Sequence, residues 1–201
     1  MATTLKGPGS VASWLPTGKD GVYEISHKVA TERDAAWSNM RAAAGHPWER
    51  IRAGTYTRLT KGGDWGTLMS DTDMEWQTNG APLYRSKGAV LMAGLGIGFI
   101  VKEVVERPQV TSVVVVEKSP EVVRLVEPAM RAVLGPLASK LAIVVADIKE
   151  YKPARGYRFD CIYVDIWGDQ SPDEIAEGQK ICARLRRYQS KGGWTSFWRI
   201  R

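Results

Sequence analysis

Three glycines at alternate positions, Gly94, Gly96 and Gly98, follow a short apolar run, and three carboxylates, Glu117, Asp147 and Asp165, each stand at the end of a later apolar run. Glycines just after a strand let a ligand approach the backbone, and an acid at the end of the next strand can accept hydrogen bonds from both hydroxyls of a ribose. Glu117 has that position, with Lys118 beside it in the same candidate binding set. In Ala146-Asp147-Ile148 the carboxylate is placed to take the exocyclic amine of an adenine while Ile148 packs on the ring. Asp165 falls over the reacting centre as a base or substrate-orienting group and is also counted in the cofactor-binding set, and Trp167 is a candidate pocket wall able to support a cation through its ring face. A dinucleotide turn would read GxGxxG, but Phe99 occupies the place of its third glycine, which disfavours a pyrophosphate ligand. GxGxG suits a nucleoside carrying an amino-acid tail. Each acid alone reads as a solvated strand-end residue; their joint placement at successive strand ends favours a nucleoside site.

Elements able to position these residues alternate regularly from residue 89 onward. Strands are predicted over residues 89–93, 112–117, 141–146 and 159–165, with a fifth over 193–198. Their continuous apolar runs, Val113 to Val116 above all, fit parallel strands covered on both faces. Helices are expected over residues 100–106, after Ser119 as N-cap with Pro120 in the first turn, and from about Pro172. The fold class is therefore α/β, a three-layer Rossmann-like domain spanning residues 87–201 behind an N-terminal segment of residues 1–86. Within that segment, residues up to Ser26 carry turn signals and read as irregular. Ser26 reads as the N-cap of a helix whose apolar face holds Val29, Ala36, Trp37, Met40 and Ala44, stopped by Gly45 and Pro47. A β-hairpin follows around Lys61-Gly62-Gly63-Asp64, then a short helix after Asp71.

Bulk properties set limits. At 201 residues and 44% hydrophobic composition, one domain can bury most of its apolar surface. No apolar run reaches the roughly 20 residues of a membrane helix, and the first residues lack a signal-like core, so a soluble cytoplasmic protein is expected. Cys161 and Cys182 lie inside a predicted strand and a predicted helix and read as packed thiols. His27 and His46 have no metal-ligand spacing, so no metal is expected and both are expected at the surface. A net charge of +6 suits a polyanion, but helical spacing spreads the C-terminal basic residues, so nucleic acid is only weakly supported as a partner. The tryptophans at 14, 37, 48, 65 and 76 read as packing of the N-terminal segment.

The stretch Val90-Leu91-Met92-Ala93-Gly94-Leu95-Gly96-Ile97-Gly98, followed by Val116-Glu117, Ala146-Asp147 and Phe159-Asp160-Cys161-Ile162-Tyr163-Val164-Asp165, resembles the class I S-adenosylmethionine (AdoMet)-dependent methyltransferases, especially their spermidine-synthase-like branch. The resemblance implies AdoMet as cofactor, the glycine turn with Glu117 and Asp147 as its holders, and Asp165 as the base that deprotonates an attacking amine. Departures from the branch are specific. Ile97 stands where spermidine synthases place the acid that grips decarboxylated AdoMet, Gly168 where they place a second acid, and Asp73-Met74-Glu75-Trp76-Gln77 has no clear counterpart of their polyamine-holding segment. Methyl transfer to a small-molecule or unidentified acceptor is thus favoured, with aminopropyl transfer or a non-catalytic or AdoMet-consuming binding protein as alternatives. Asp165-Ile166-Trp167-Gly168 also departs from the Asp-Pro-Pro-Tyr-like motif common among nucleic-acid amino-methyltransferases. The resemblance implies seven strands, so a fifth strand ending the sheet suggests a trimmed fold or a homo-oligomer covering that edge.

Overall fold

A computed structural model describes residues 9–46, 49–63, 66–167 and 171–199. Two sheets organise them. The first is antiparallel, in the order β1 (Gly18–Asp20), β2 (Tyr23–Ala30), β3 (Gly54–Lys61), β4 (Thr67–Ser70), with helix α1 (Glu32–Ala43) between β2 and β3. Two short helices, α2 (Asp73–Thr78) and α3 (Gly80–Arg85), lead to the second sheet. Its strands are β5 (Gly88–Ala93), β6 (Val110–Glu117), β7 (Leu141–Val145), β8 (Phe159–Val164) and β9 (Gln189–Phe197), in the order β7-β6-β5-β8-β9. All four pairings in it are parallel.

This order makes the chain run outward from β5 to β7 and then return to the other side of β5 with β8. The reversal opens a crevice beyond the carboxyl ends of β5 and β8, the position where open α/β sheets of this Rossmann-like kind take ligands. Helices α4 (Phe99–Val105), α5 (Pro120–Leu134) and α6 (Pro172–Leu185) make the crossovers. Pro120 opens α5 as expected, and α6 starts with a reciprocal cap in which Ser171 and Glu174 satisfy each other's backbone amides.

Strand β6 explains its own sequence. Val113 and Val115 face one apolar cluster with Val122, Val126 and Met130 of α5, while Val116 faces another with Ile181, Cys182 and Leu185 of α6. Both sides are covered, so the run has no polar alternation, and each fully buried valine contributes roughly 1.5–3 kcal/mol as an upper figure. Val11, Leu15, Ile25 and Leu59 join the α5-side cluster, which therefore continues from the parallel sheet into the antiparallel one.

The N-terminal segment departs from expectation. The part before Ser26 holds β1 and the start of β2, and Ser26 itself is a strand residue opposite Arg58 of β3 rather than a helix cap. Thr31 caps α1 instead, with Asp34 completing the capping box. Pairing of β2 with β3 over eight successive positions, Tyr23 to Ala30, outweighs the local helical periodicity. The supposed apolar face is also exposed: Val29 is 72%, Trp37 62% and Met40 55% accessible, and Ala35 is the residue α1 buries. The hairpin is β3–β4, although Asp64 and Trp65 of its turn, like Trp48, lie outside the described residues. His46 is exposed, whereas His27 is half-buried and hydrogen-bonds the Leu15 carbonyl through Nε2 at 2.9 Å, so only the former matches the surface expectation. Both cysteines are free and buried.

Candidate functional site

The turn after β5 is built by its glycines. Gly94, Gly96 and Gly98 have φ of +92°, +51° and +76°, a region that residues with a side chain enter only with strain. At Gly94 space forbids a side chain as well, because a Cβ would collide with the Asp165 carbonyl; at Gly96 and Gly98 it would displace the Met69 and Met130 side chains. The last of these contacts faces α5. Gly98 thus ends the turn as the N-cap of α4 and seats it on the core, while Gly94 and Gly96 line a cavity of about 360 Å³.

That cavity collects most of the residues singled out by the sequence. Gly94, Gly96, Glu117, Lys118, Asp147, Ile148, Asp165 and Trp167 all line it; Gly98 and Ile97 do not, and Ile97 is fully buried in the core. Gly168 lies outside the described residues. Its roof comes from the antiparallel sheet, through Tyr23, Leu59, Lys61, Leu68 and Met69. A 2.7 Å hydrogen bond between the Tyr23 hydroxyl and Ser119 Oγ ties that roof to the start of α5.

Glu117 acts first on the turn itself. Its Oε2 accepts the Leu95 amide and its Oε1 the Ser119 amide, both at 2.8 Å. Each carboxylate oxygen has a second lone pair, so two further acceptor positions remain for a diol. Asp147 is occupied differently: Oδ2 takes the Lys118 ammonium at 2.8 Å and Oδ1 the Lys149 amide at 2.9 Å. The Lys118 hydrogen bond, then the Lys149 amide, hold its pKa below the usual carboxylate value. Ile148 is buried next to it as an apolar floor. On the opposite wall, Trp167 Nε1 donates to Glu177 Oε2 at 2.9 Å, and its ring meets Phe197 edge-on at 5.9 Å, which fixes the indole's direction.

Asp165 follows β8 directly, its amide donating to the Ala93 carbonyl at 2.8 Å. Burial pushes its carboxyl up to about 7. A carboxyl in that range is divided between acid and base near neutral pH, which is the condition for proton transfer in either direction. Sequence reasoning passed over its neighbour Glu75. This residue of α2 is 8% exposed, and burial, followed by the charge of Asp165, pushes its pKa up to about 8. Asn79 Nδ2 approaches one Glu75 oxygen at 3.5 Å. Among the described residues neither acid is paired with a basic side chain. The available signal was an acid beside Trp76 on a helix whose neighbours are apolar, and Trp76 is indeed buried, edge-on to Phe99 at 4.6 Å. Among the described residues no group of three or more His, Cys, Asp or Glu side chains could hold a metal ion, and no helix is long and apolar enough to cross a membrane.

No protein-family model matches the sequence, and no curated protein sequence is similar to it. Solved structures do share similarity of shape. The N-methyltransferase NodS from Bradyrhizobium japonicum WM9 matches with a TM-score of 0.48 at 15% identity, over 63% of this chain and 68% of that one. An S-adenosylmethionine-dependent methyltransferase from Mesorhizobium loti gives 0.45 at 20% identity, over 61% and 52%. The glycopeptide N-methyltransferase MtfA, solved with S-adenosylmethionine, gives 0.42 at 18% identity, over 59% and 47%. The matched part spans from 37% to 68% of the length of such proteins.

Proposed function

We propose that the chain is an AdoMet-dependent methyltransferase whose cofactor occupies the cavity at the β5/β8 crevice. The observation that carries this reading is the convergence of two side-chain-free turn positions, Gly94 and Gly96, with acids from three successive strand ends on one cavity of about 360 Å³. That volume lies in the usual range of about 300–1,000 Å³ for small-molecule sites. The donors and acceptors fit the ligand: Gly94 and Gly96 give close access to backbone, Glu117 keeps two lone pairs for a ribose, and Asp147 with Ile148 offers an acceptor and an apolar face to adenine. Bound AdoMet supplies a methyl group made electrophilic by its sulfonium.

The chain's own residues do the rest. Trp167, held by Glu177, walls the cavity and offers its ring to the positive charge. Asp165, with a carboxyl raised towards neutrality, orients the acceptor and takes a proton from it if the nucleophile arrives protonated. The antiparallel sheet roofs the cavity, and alignment of the reacting groups beneath it supplies a large share of such catalysis.

Aminopropyl transfer is the second reading, in which the Asp165 carboxyl lining the cavity faces a cationic acceptor. Ile97 counts against it, since a core isoleucine offers nothing to the free amine of decarboxylated AdoMet. Calorimetry with AdoMet, S-adenosylhomocysteine, decarboxylated AdoMet and NAD, run side by side, separates the readings. Tightest binding of AdoMet and S-adenosylhomocysteine is expected. Binding of the decarboxylated form alone would move the assignment to aminopropyl transfer, and preference for NAD would overturn it.

A further inference from the structure

A second cavity, about 1040 Å³, shares no lining residue with the first. It lies between α1 on one side and α2, α3 and the ends of β8 and β9 on the other, and three arginines line it: Arg50, Arg85 and Arg199. None of the three is ion-paired among the described residues. The carboxylate in the lining, Asp73, is already engaged by Arg52, whose Nε donates to Asp73 Oδ2 at 3.0 Å. The cavity therefore carries about three uncompensated positive charges, and a concave wall concentrates such a field.

Two of these guanidinium groups are held by rings rather than by acids. Arg85 lies 5.8 Å over the centre of Trp194, which in turn stacks on Tyr163 at 6.1 Å and 10°. Arg199 lies 5.2 Å over Phe197. A guanidinium that no acid engages keeps N–H groups with which to grip a carboxylate or phosphate through two hydrogen bonds. The floor is fixed as well: the buried Tyr163 hydroxyl donates to Asn79 Oδ1 at 3.0 Å. Tyr84, whose side chain is exposed, adds flat apolar area to the same walls.

We infer that this cavity is a binding site for a small molecule that joins a planar ring to a carboxylate or phosphate group. A concavity of this volume is larger than the site at the β5/β8 crevice and matches an organic ligand better than the extended, shallow surface that a nucleic-acid backbone tracks. The ring lies against Tyr84, and the oxyanion is held by the arginines of the lining. This inference does not depend on the identity of the ligand in the first cavity.

Calorimetric titration of the full chain tests it, with phenyl phosphate and benzoate as probes, and phenol and inorganic phosphate as the ring alone and the anion alone. Phenyl phosphate or benzoate is expected to bind at least tenfold more tightly than either half, and more weakly at 300 mM than at 50 mM NaCl. The relative strength of the two probes tells a phosphate site from a carboxylate site. Arg85→Gln and Arg199→Gln should each weaken binding about fivefold or more, whereas Lys191→Gln, an equal charge loss on β9, should not. If neither probe outperforms its halves, or if Lys191→Gln weakens binding as much as the arginine variants, the inference is wrong. Amide spectra of the unmutated chain give an answer independent of variant folding: shifts are expected at Gln77, Tyr84, Ser196 and Phe197, and shifts confined elsewhere would overturn the site.

Discussion

Gly94 runs so close to Asp165 that a single methyl group on the glycine would overlap the aspartate's carbonyl oxygen. The carboxyl ends of β5 and β8 are thereby locked together where the crevice opens. Gly94→Ala meets both that collision and a φ of +92°, and should lower stability by at least about 2 kcal/mol and abolish AdoMet binding. Thermal melts with calorimetry check this; a variant that melts and binds like the parent would show that the turn is not constrained as described.

Asp165→Asn keeps the shape of the side chain and removes its basicity. AdoMet affinity should stay within about threefold while turnover falls by roughly 10²–10⁴. In the unmutated chain, turnover should rise with pH through about 7, because only the ionised carboxyl accepts a proton. Full turnover in the asparagine variant removes Asp165 from the base role.

Glu75 and Asp165 also make stability depend on pH. Both have folded-state values raised, to about 8 and about 7, above ordinary values of 4.5 and 3.8. A raised carboxyl binds its proton more tightly in the folded chain, so its contribution is complete below the ordinary value and is lost as pH rises to the folded one. Stability should therefore decline between about pH 4 and pH 8 on account of this pair. Glu75→Gln removes one of the two, and should be more stable than the parent by about 1–3 kcal/mol at pH 8.5 yet nearly equal to it at pH 4. Denaturant titrations across that range decide it; a constant difference at every pH would sink the assignment.

Glu117→Gln replaces one acceptor oxygen by a donor. One of the two backbone amides it now serves, Leu95 or Ser119, is left facing an N–H group, at a cost of about 1–3 kcal/mol. AdoMet affinity should fall tenfold or more, since the turn and the ribose acceptor are affected together. A variant with lowered stability but unchanged affinity would leave Glu117 as a brace for the turn and nothing more.

The parallel half of the fold was legible because its strands are buried on both faces. Val113 to Val116 and Cys161 to Val164 have no polar alternation to confuse, and the glycines and strand-end acids could be placed from them. The antiparallel half was not legible for the opposite reason. In β2, Ile25 is the fully buried position while Val29 is exposed, so its pattern follows pairing with β3 and not burial. The site's missed parts have the same origin. Tyr23, Leu68 and Met69 reach the cavity only because the two sheets pack together, and Glu75 feels the charge of Asp165 across 90 residues of chain that no local pattern links.

The ion pair between Lys118 and Asp147 has a consequence for the thermodynamics of filling the cavity. Lys118 is 74% exposed and occupies one lone pair of Asp147 Oδ2, so an adenine amine drawn to that oxygen shares it with an intramolecular cation. Salt screens exposed pairs of this kind, with a Debye length of about 10 Å at 0.1 M. Added salt therefore loosens the competitor more than it loosens a sheltered ligand, and AdoMet should bind more tightly at 300 mM than at 50 mM NaCl. Lys118→Ala should abolish that dependence, which makes the lysine a built-in rival for its neighbour and ionic strength the variable that settles the contest.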